Sequence, residues 1–187
     1  IGSEIVRQVI SFCPKKIIIL DSAETPLNSL FLEICESNIN NEVVVTRIAD
    51  IKDLNVLENI FLENIPDVVF HAAAYKHVPM MENNPCQAIF TNVMGTKNLA
   101  DLSIKYNVGK FVMISTDKAV NPSSVMGASK RIAEMYVQSL QNKVDNEITK
   151  FVTTRFGNVL GSNGSVVPLF TKQIKEGGPI TITHPDI

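Results

Sequence analysis

Four consecutive residues carry the densest chemistry in the chain: Ser115, Thr116, Asp117 and Lys118 set two hydroxyls, a carboxylate and an amine side by side. A carboxylate beside an amine can work as an acid–base pair, and a neighbouring hydroxyl can orient the group they act on. Further on, Met126 and Lys130 stand four apart, a spacing that puts both on one face of a helix. Lys130 there either projects into solvent, as most lysines do, or contacts a ribose and holds positive charge near a cofactor.

These residues need elements to position them. Residues 111–114 form an apolar run with no polar break, the pattern of a strand buried on both faces, so 115–118 fall at its carboxyl end. In an open α/β sheet that is where ligands bind. A loop with Asn121-Pro122 follows, and then a helix from about Gly127 to Gln141. The same alternation fills the chain. A helix ends near Cys13-Pro14, a strand at 16–20 terminates in Asp21, and Leu27, Leu30, Phe31 and Ile34 mark a helix. A strand starting at Glu42 runs on to Asp50-Ile51, a helix stops before Pro66, and a strand at 67–70 leads into His71. A long helix extends from Pro85 to about Tyr106, and a strand at 151–156 precedes an apolar helix near 166–176. Strand–helix alternation predicts right-handed βαβ units: an α/β fold with a doubly wound, mostly parallel sheet of the dinucleotide-binding Rossmann type, as one domain over 1–187.

Composition sets limits. A chain of 187 residues, 45% apolar and 19% charged, can bury one core, and a net charge of −2 gives no reason to expect nucleic acid or an anionic membrane as partner. Cys13, Cys35 and Cys86 are odd in number and form no CxxC, the usage of free thiols in a reducing cytoplasm. No His spacing suits zinc, and no apolar run approaches the ~18 residues of a membrane helix. The chain opens without Met, inside a helical pattern, and stops after an apolar run, so it reads as a piece truncated at both ends.

Several further residues are candidates. Asp21, at a strand end, can bond both ribose hydroxyls of an adenosine, which favours NAD over NADP; the alternative is an ordinary helix-start aspartate. Asp50 can meet an adenine amine. Gly2 fits the last glycine of a GxGxxG phosphate loop, although one glycine is slight evidence. Ala72, Ala73 and Ala74 admit either a flat cofactor or close packing. Lys76 can grip a phosphate and His77 adds a polar group on that rim, or both are surface residues. Asn158, after the strand at 151–156, can bond a substrate.

Together the motifs HAAAYKHVPMMENNP, TNVMGT, STDKAVNPSSVMGASKR, RFGNVLGSNGSVVPLF and THPDI resemble the extended short-chain dehydrogenase/reductases, in particular the CapD-like branch of nucleotide-sugar 4,6-dehydratases of capsule, O-antigen and glycan biosynthesis. The resemblance implies an enzyme that acts on UDP-N-acetylglucosamine with a bound NAD or NADP. Hydride leaves sugar C4, water is lost across C5 and C6, and hydride returns to C6, giving a UDP-4-keto-6-deoxy-N-acetylhexosamine. It implies that Thr116 bonds the C4 hydroxyl, Asp117 protonates the departing C6 hydroxyl and Lys118, its pKa lowered by burial, takes the C5 proton. Lys130 would hold the nicotinamide ribose. Gly2, Asp21, Asp50, Ile51, Ala72–Ala74 and Asn92 would line the cofactor, and Lys76, His77 and Asn158 the sugar nucleotide. A cytoplasmic domain is implied, in a parent that is a homo-oligomer and is anchored to the inner membrane by amino-terminal helices outside this chain.

Two departures stand out. The superfamily's YxxxK tyrosine is Met126 here, which cannot titrate and leaves the base for C4 oxidation open. The family's first strand, central in its sheet, precedes residue 1, which would leave a gap between two buried neighbours and a 187-residue piece of low activity and weak dinucleotide affinity. A nucleotide-sugar epimerase and a non-catalytic dinucleotide-binding module are the competing functions; a simple C4-epimerase has no use for a C5 base beside an acid.

Overall fold

The computed structural model describes residues 1–36, 43–141, 148–159 and 166–180; Glu42, the glycine loop at 161–164 and the THPDI motif lie outside these. Contacts group the chain into two units, Ile1–Arg155 and Phe156–Ile187.

In the first unit, α1 (Gly2–Ile10) precedes β1 (Ile17–Asp21), α2 (Glu24–Glu36), β2 (Val44–Ile48), α3 (Leu54–Asn64) and β3 (Val68–His71). Then come α4 (Val78–Asn83), α5 (Pro85–Ala88), a π-helical segment (Ile89–Gly95), α6 (Thr96–Lys105) and β4 (Lys110–Thr116). A 3-10 turn (Asp117–Ala119), α7 (Val125–Gln141) and all but the last residue of β5 (Lys150–Phe156) complete it. The second unit contains α8 (Val166–Lys175), which exposes Val167, Leu169 and Ile174.

Parallel pairing follows from the crossovers, because strands running the same way need a long connection between them. β1 pairs with β2 from Ile17–Val44 to Asp21–Ile48, and β3 with β4 from Val68–Lys110 to His71–Met113. The strands form two sheets, β1-β2 and β3-β4-β5. Among the described residues no strand joins β1 to β3, the two edges where a gap is expected, and Val68 and Phe70 on β3 stay nearly half exposed. One core gathers Ile17, Ile19, Leu27, Leu30, Ile34 and Val44 from β1, α2 and β2. The larger one packs α3, α6 and α7 on β4 through Leu57, Phe61, Leu102, Phe111, Met113 and Val137.

The expected elements are present, with one change of kind. The helix predicted from Pro85 to Tyr106 is not uniform: its middle is π-wound, and a short α4 starting beside Pro79 precedes it. A π turn takes an extra residue per turn, a feature frequent at functional sites.

Candidate functional site

The carboxyl ends of β1, β2 and β3 open onto a cleft of about 290 Å³, lined by Asp21, Asp50, Ile51, Ala72, Ala73 and Ala74 together with Tyr75 and Thr91. That volume is at the small end for ligand sites, room for a part of a dinucleotide. Asp21 accepts the Ala23 N–H through Oδ1 (2.9 Å), so it caps a turn, and it also lines the cleft. Asp50 Oδ1 accepts the Lys52 N–H at 2.9 Å, and Lys52 Nζ lies 3.2 Å from its Oδ2. Ile51 is pinned by the Asn98 side chain, which donates to its carbonyl (3.0 Å), and by Gly95, where a Cβ would come within 2.4 Å of Ile51 Cδ1. Gly2 starts α1 beside Ala72; a Cβ there would sit 3.9 Å from that of Ala72.

The residues suit an adenosine: two carboxylates for hydroxyl and amine donors, alanines that admit a flat ring, and one buried hydroxyl, Thr91 Oγ1, with no hydrogen-bond partner among the described residues. Leaving a buried hydroxyl unpaired costs ~1–3 kcal/mol, so its placement on the cleft wall points to a ligand that completes it. Sequence reasoning passed over Thr91. Its one signal was its place in the TNVMGT motif, directly before Asn92.

At the end of β4 the reactive cluster is assembled as its spacing implied. The Thr116 hydroxyl donates to Asp117 Oδ1 at 2.9 Å, Lys118 Nζ lies 3.2 Å from the same oxygen, and the Lys118 N–H donates to Thr116 Oγ1 at 3.3 Å. The Thr116 hydrogen bond and the Lys118 ammonium hold the Asp117 carboxyl below its ordinary range, so the resting form is the carboxylate rather than the protonated acid. The Lys118 side chain is 41% exposed, not buried as its expected role supposed. The buried lysine is Lys130, which donates to the Ile114 carbonyl at 2.7 Å and which burial pushes down to about 8.

α7 is seated against this turn by its amino end. Glu82 accepts the Val125 N–H at 2.8 Å, the Ser124 hydroxyl accepts the Gly127 N–H at 3.1 Å, and a Cβ on Gly127 would lie 2.3 Å from the Lys118 carbonyl oxygen. Met126, 3% exposed, packs with Met81 and Ala88 in a small apolar cluster. Asn92, fully buried in the π segment, accepts the Tyr75 N–H (2.8 Å) and donates to the Tyr75 carbonyl (3.0 Å) and to Ser129 Oγ (2.9 Å), tying the post-β3 strand end to α7. His71 is a second residue that the sequence did not single out. Its Nε2 is 2.8 Å from Thr96 Oγ1, which donates to the Asn92 carbonyl, so Nε2 carries the proton. Burial and the nearby Lys130 charge push the ring down to about 3, keeping it neutral. Lys76 and His77 are exposed on the rim after the alanines, and Asn158 lies in the second unit, exposed. Among the described residues no three His, Cys, Asp or Glu gather as a metal site, and no helix is long and apolar enough to cross a membrane.

A family model described as polysaccharide biosynthesis protein matches residues 1–187. The chain is 54% identical over its whole length to the capsular polysaccharide biosynthesis protein CapD of Staphylococcus aureus, of which it covers 31%. It is 38% identical, over 93% of its length, to a UDP-N-acetylglucosamine 4,6-dehydratase (inverting) of Campylobacter jejuni, of which it covers 51%. A UDP-glucose 4-epimerase of Thermus thermophilus solved in complex with NAD superposes on 97% of the chain with a TM-score of 0.81 at 25% identity, the chain covering 61% of that structure. The chain thus spans from 31% to 61% of the length of these proteins.

Proposed function

Since the chain belongs to the polysaccharide biosynthesis protein family, we propose that it carries the cofactor-binding and reacting part of a nucleotide-sugar 4,6-dehydratase acting on UDP-N-acetylglucosamine in capsule, O-antigen or glycan synthesis. The observation that carries this reading is the Thr116–Asp117–Lys118 cluster at the carboxyl end of β4, with Lys130 buried behind it. An elimination needs an acid and a base on adjacent carbons, and here the two side chains touch.

A nicotinamide dinucleotide supplies the hydride acceptor and donor; Asp21, Asp50, Ile51, Ala72–Ala74, Asn92 and Thr91 would hold it, with Asp21 favouring NAD. Residues 1–187 act as one Rossmann-type domain in this reading. Thr116 orients the C4 hydroxyl. Once C4 is a ketone, the C5 hydrogen is acidic. Lys118 takes it as the free amine while Asp117, which gains a proton from the C4 hydroxyl through Thr116, gives it to the departing C6 hydroxyl, so water leaves and the pair ends as ammonium and carboxylate. When hydride adds to C6, the Lys118 ammonium gives a proton back to C5, so both groups return to their starting forms and no proton is left over. Met126, packed in its apolar cluster, takes no proton. Lys76, His77 and Asn158 remain candidates for the sugar nucleotide.

The resemblance to an epimerase supports one second reading, inversion at a ring carbon without loss of water. Full-length protein incubated with UDP-N-acetylglucosamine in heavy water, followed by NMR, separates the two. Deuterium at C5 with a new C6 methyl is the dehydratase result. A changed ring configuration with C6 still hydroxylated means epimerase, and unchanged sugar with every UDP-hexosamine means a dinucleotide-binding module.

A further inference from the structure

Glu134 is fully buried on α7, one helical turn beyond Lys130. Arg155 on β5 grips it with two parallel hydrogen bonds, Nε to Oε1 at 2.8 Å and Nη2 to Oε2 at 2.5 Å, and Arg131 Nη1 reaches Oε2 at 3.2 Å. The Ser115 hydroxyl, next to the reactive cluster, is buried beside the same carboxylate without the geometry of a full hydrogen bond. Burial alone would push the Glu134 carboxyl up, but Arg155, Ser115 and Arg131 outweigh it and keep the group ionised. One buried anion therefore ties together the end of β4, α7 and β5.

A forked arginine pair fixes orientation as well as charge. A clamp needed only to dock α7 on β5 could be apolar, since replacing a buried ion pair with well-packed apolar groups is often neutral or stabilising. This carboxylate stands instead at the i+4 position of the buried lysine, where two side chains share a helix face.

We propose that Glu134 is a positioning residue for the reaction, which holds Lys130 on the end of β4 as a charged group and is itself held in place by Arg155. The inference rests on the reading of Lys130 as the lysine that meets the cofactor ribose. The titratable and charged groups on Lys130's own helix and on the elements beside it are Glu134 and Arg131 on α7, His71 at the end of β3, Asp117 and Lys118 past β4, and Arg155 on β5; of these, Glu134 and His71 couple to Lys130. His71 is neutral, Asp117 and Lys118 neutralise each other, and Arg155 is taken up by Glu134. What opposes the loss of the Lys130 proton on burial is the charge of Glu134.

The test is Glu134→Gln in the full-length protein, read by two measurements. The first is a 13C NMR titration of the Lys130 ε-carbon, assigned with Lys130→Arg; the second is the pH profile of UDP-N-acetylglucosamine turnover. The expected result is a Lys130 midpoint, and with it the alkaline limb of the profile, displaced by about one pH unit to lower pH, the low end for opposite charges a few ångströms apart because two arginines already share the carboxylate. A double variant, Glu134→Gln with Arg155→Leu, also removes the guanidinium that the first change strands, leaving only the partly solvent-exposed Arg131, and should shift the same way if the single variant does not fold. Unmoved midpoints in folded variants overturn the proposal. If no sugar turns over, the NMR titration still decides the role of Glu134, so the failure of the dehydratase reading is told apart from the failure of this one.

Discussion

Gly127→Ala tests how closely α7 seats the reactive turn. The added Cβ would lie 2.3 Å from the Lys118 carbonyl oxygen and 3.2 Å from both Pro122 Cβ and Ser124 Oγ. Ordinary contact begins near 3.4 Å, so helix and turn must part by about 1.1 Å. The crowding atom is main chain, in the residue proposed as the base, and cannot swing aside. In an exposed helix the same change stabilises by up to ~1 kcal/mol, whereas overpacking a tight contact costs ~1–3 kcal/mol; the sum is a loss of at most ~2 kcal/mol. A 1 Å displacement of reacting groups, by contrast, costs on the order of 10²-fold in rate. The variant should therefore fold, melt a few degrees lower and lose about two orders of magnitude in kcat, measured by appearance of the C6 methyl product. Gly109→Ala is the control: its Cβ would approach the Asp67 carbonyl at 3.3 Å, at the opposite end of β4, and kcat should stay within twofold. A Gly127→Ala protein with raised Tm and unchanged kcat would refute the claim that this contact places the site.

Other outcomes follow from the same geometry. Lys118→Ala should abolish elimination while dinucleotide affinity by calorimetry stays near that of the unaltered protein; normal turnover would remove Lys118 as the base. Thr91→Val takes away an unpaired buried hydroxyl, so the cofactor-free protein should melt higher, by about 1 kcal/mol of stability, while dinucleotide affinity falls roughly tenfold, the worth of one hydrogen bond; unchanged affinity would mean that the hydroxyl meets no ligand. His71 is held neutral down to about pH 3 by burial and by Lys130, whereas the unfolded ring titrates near 6.5. Between those values the unfolded chain binds the extra proton, so stability falls by up to ~1.4 kcal/mol per unit as the pH drops through the window. Urea unfolding between pH 6.5 and 4 should show that slope, flatter in His71→Asn; identical slopes would dismiss the histidine as the acid-sensitive group.

The sequence by itself determined the alternation of elements and the place of the reactive cluster, because buried parallel strands must be short apolar runs and a helix face must repeat at 3.6 residues. Residues 115–118 had to fall at a strand end, and Lys130 had to share a helix face with Met126. Asp21, Asp50, Ile51 and Ala72–Ala74 were likewise legible as strand-end residues, and they line one cleft. Tertiary structure decided which of these groups is buried. Lys118 and Lys130 are the same residue type twelve positions apart, yet one is half exposed beside Asp117 and the other is enclosed by β4 and α7. Nothing local distinguishes them, since burial is set by segments far away in the chain. The π turn that turns Asn92 onto Tyr75 and Ser129, the unpaired hydroxyl of Thr91, and the pairing of Glu134 with Arg155 across 21 residues are of the same kind. Each depends on two elements meeting, and hydropathy along one element carries no record of its neighbour.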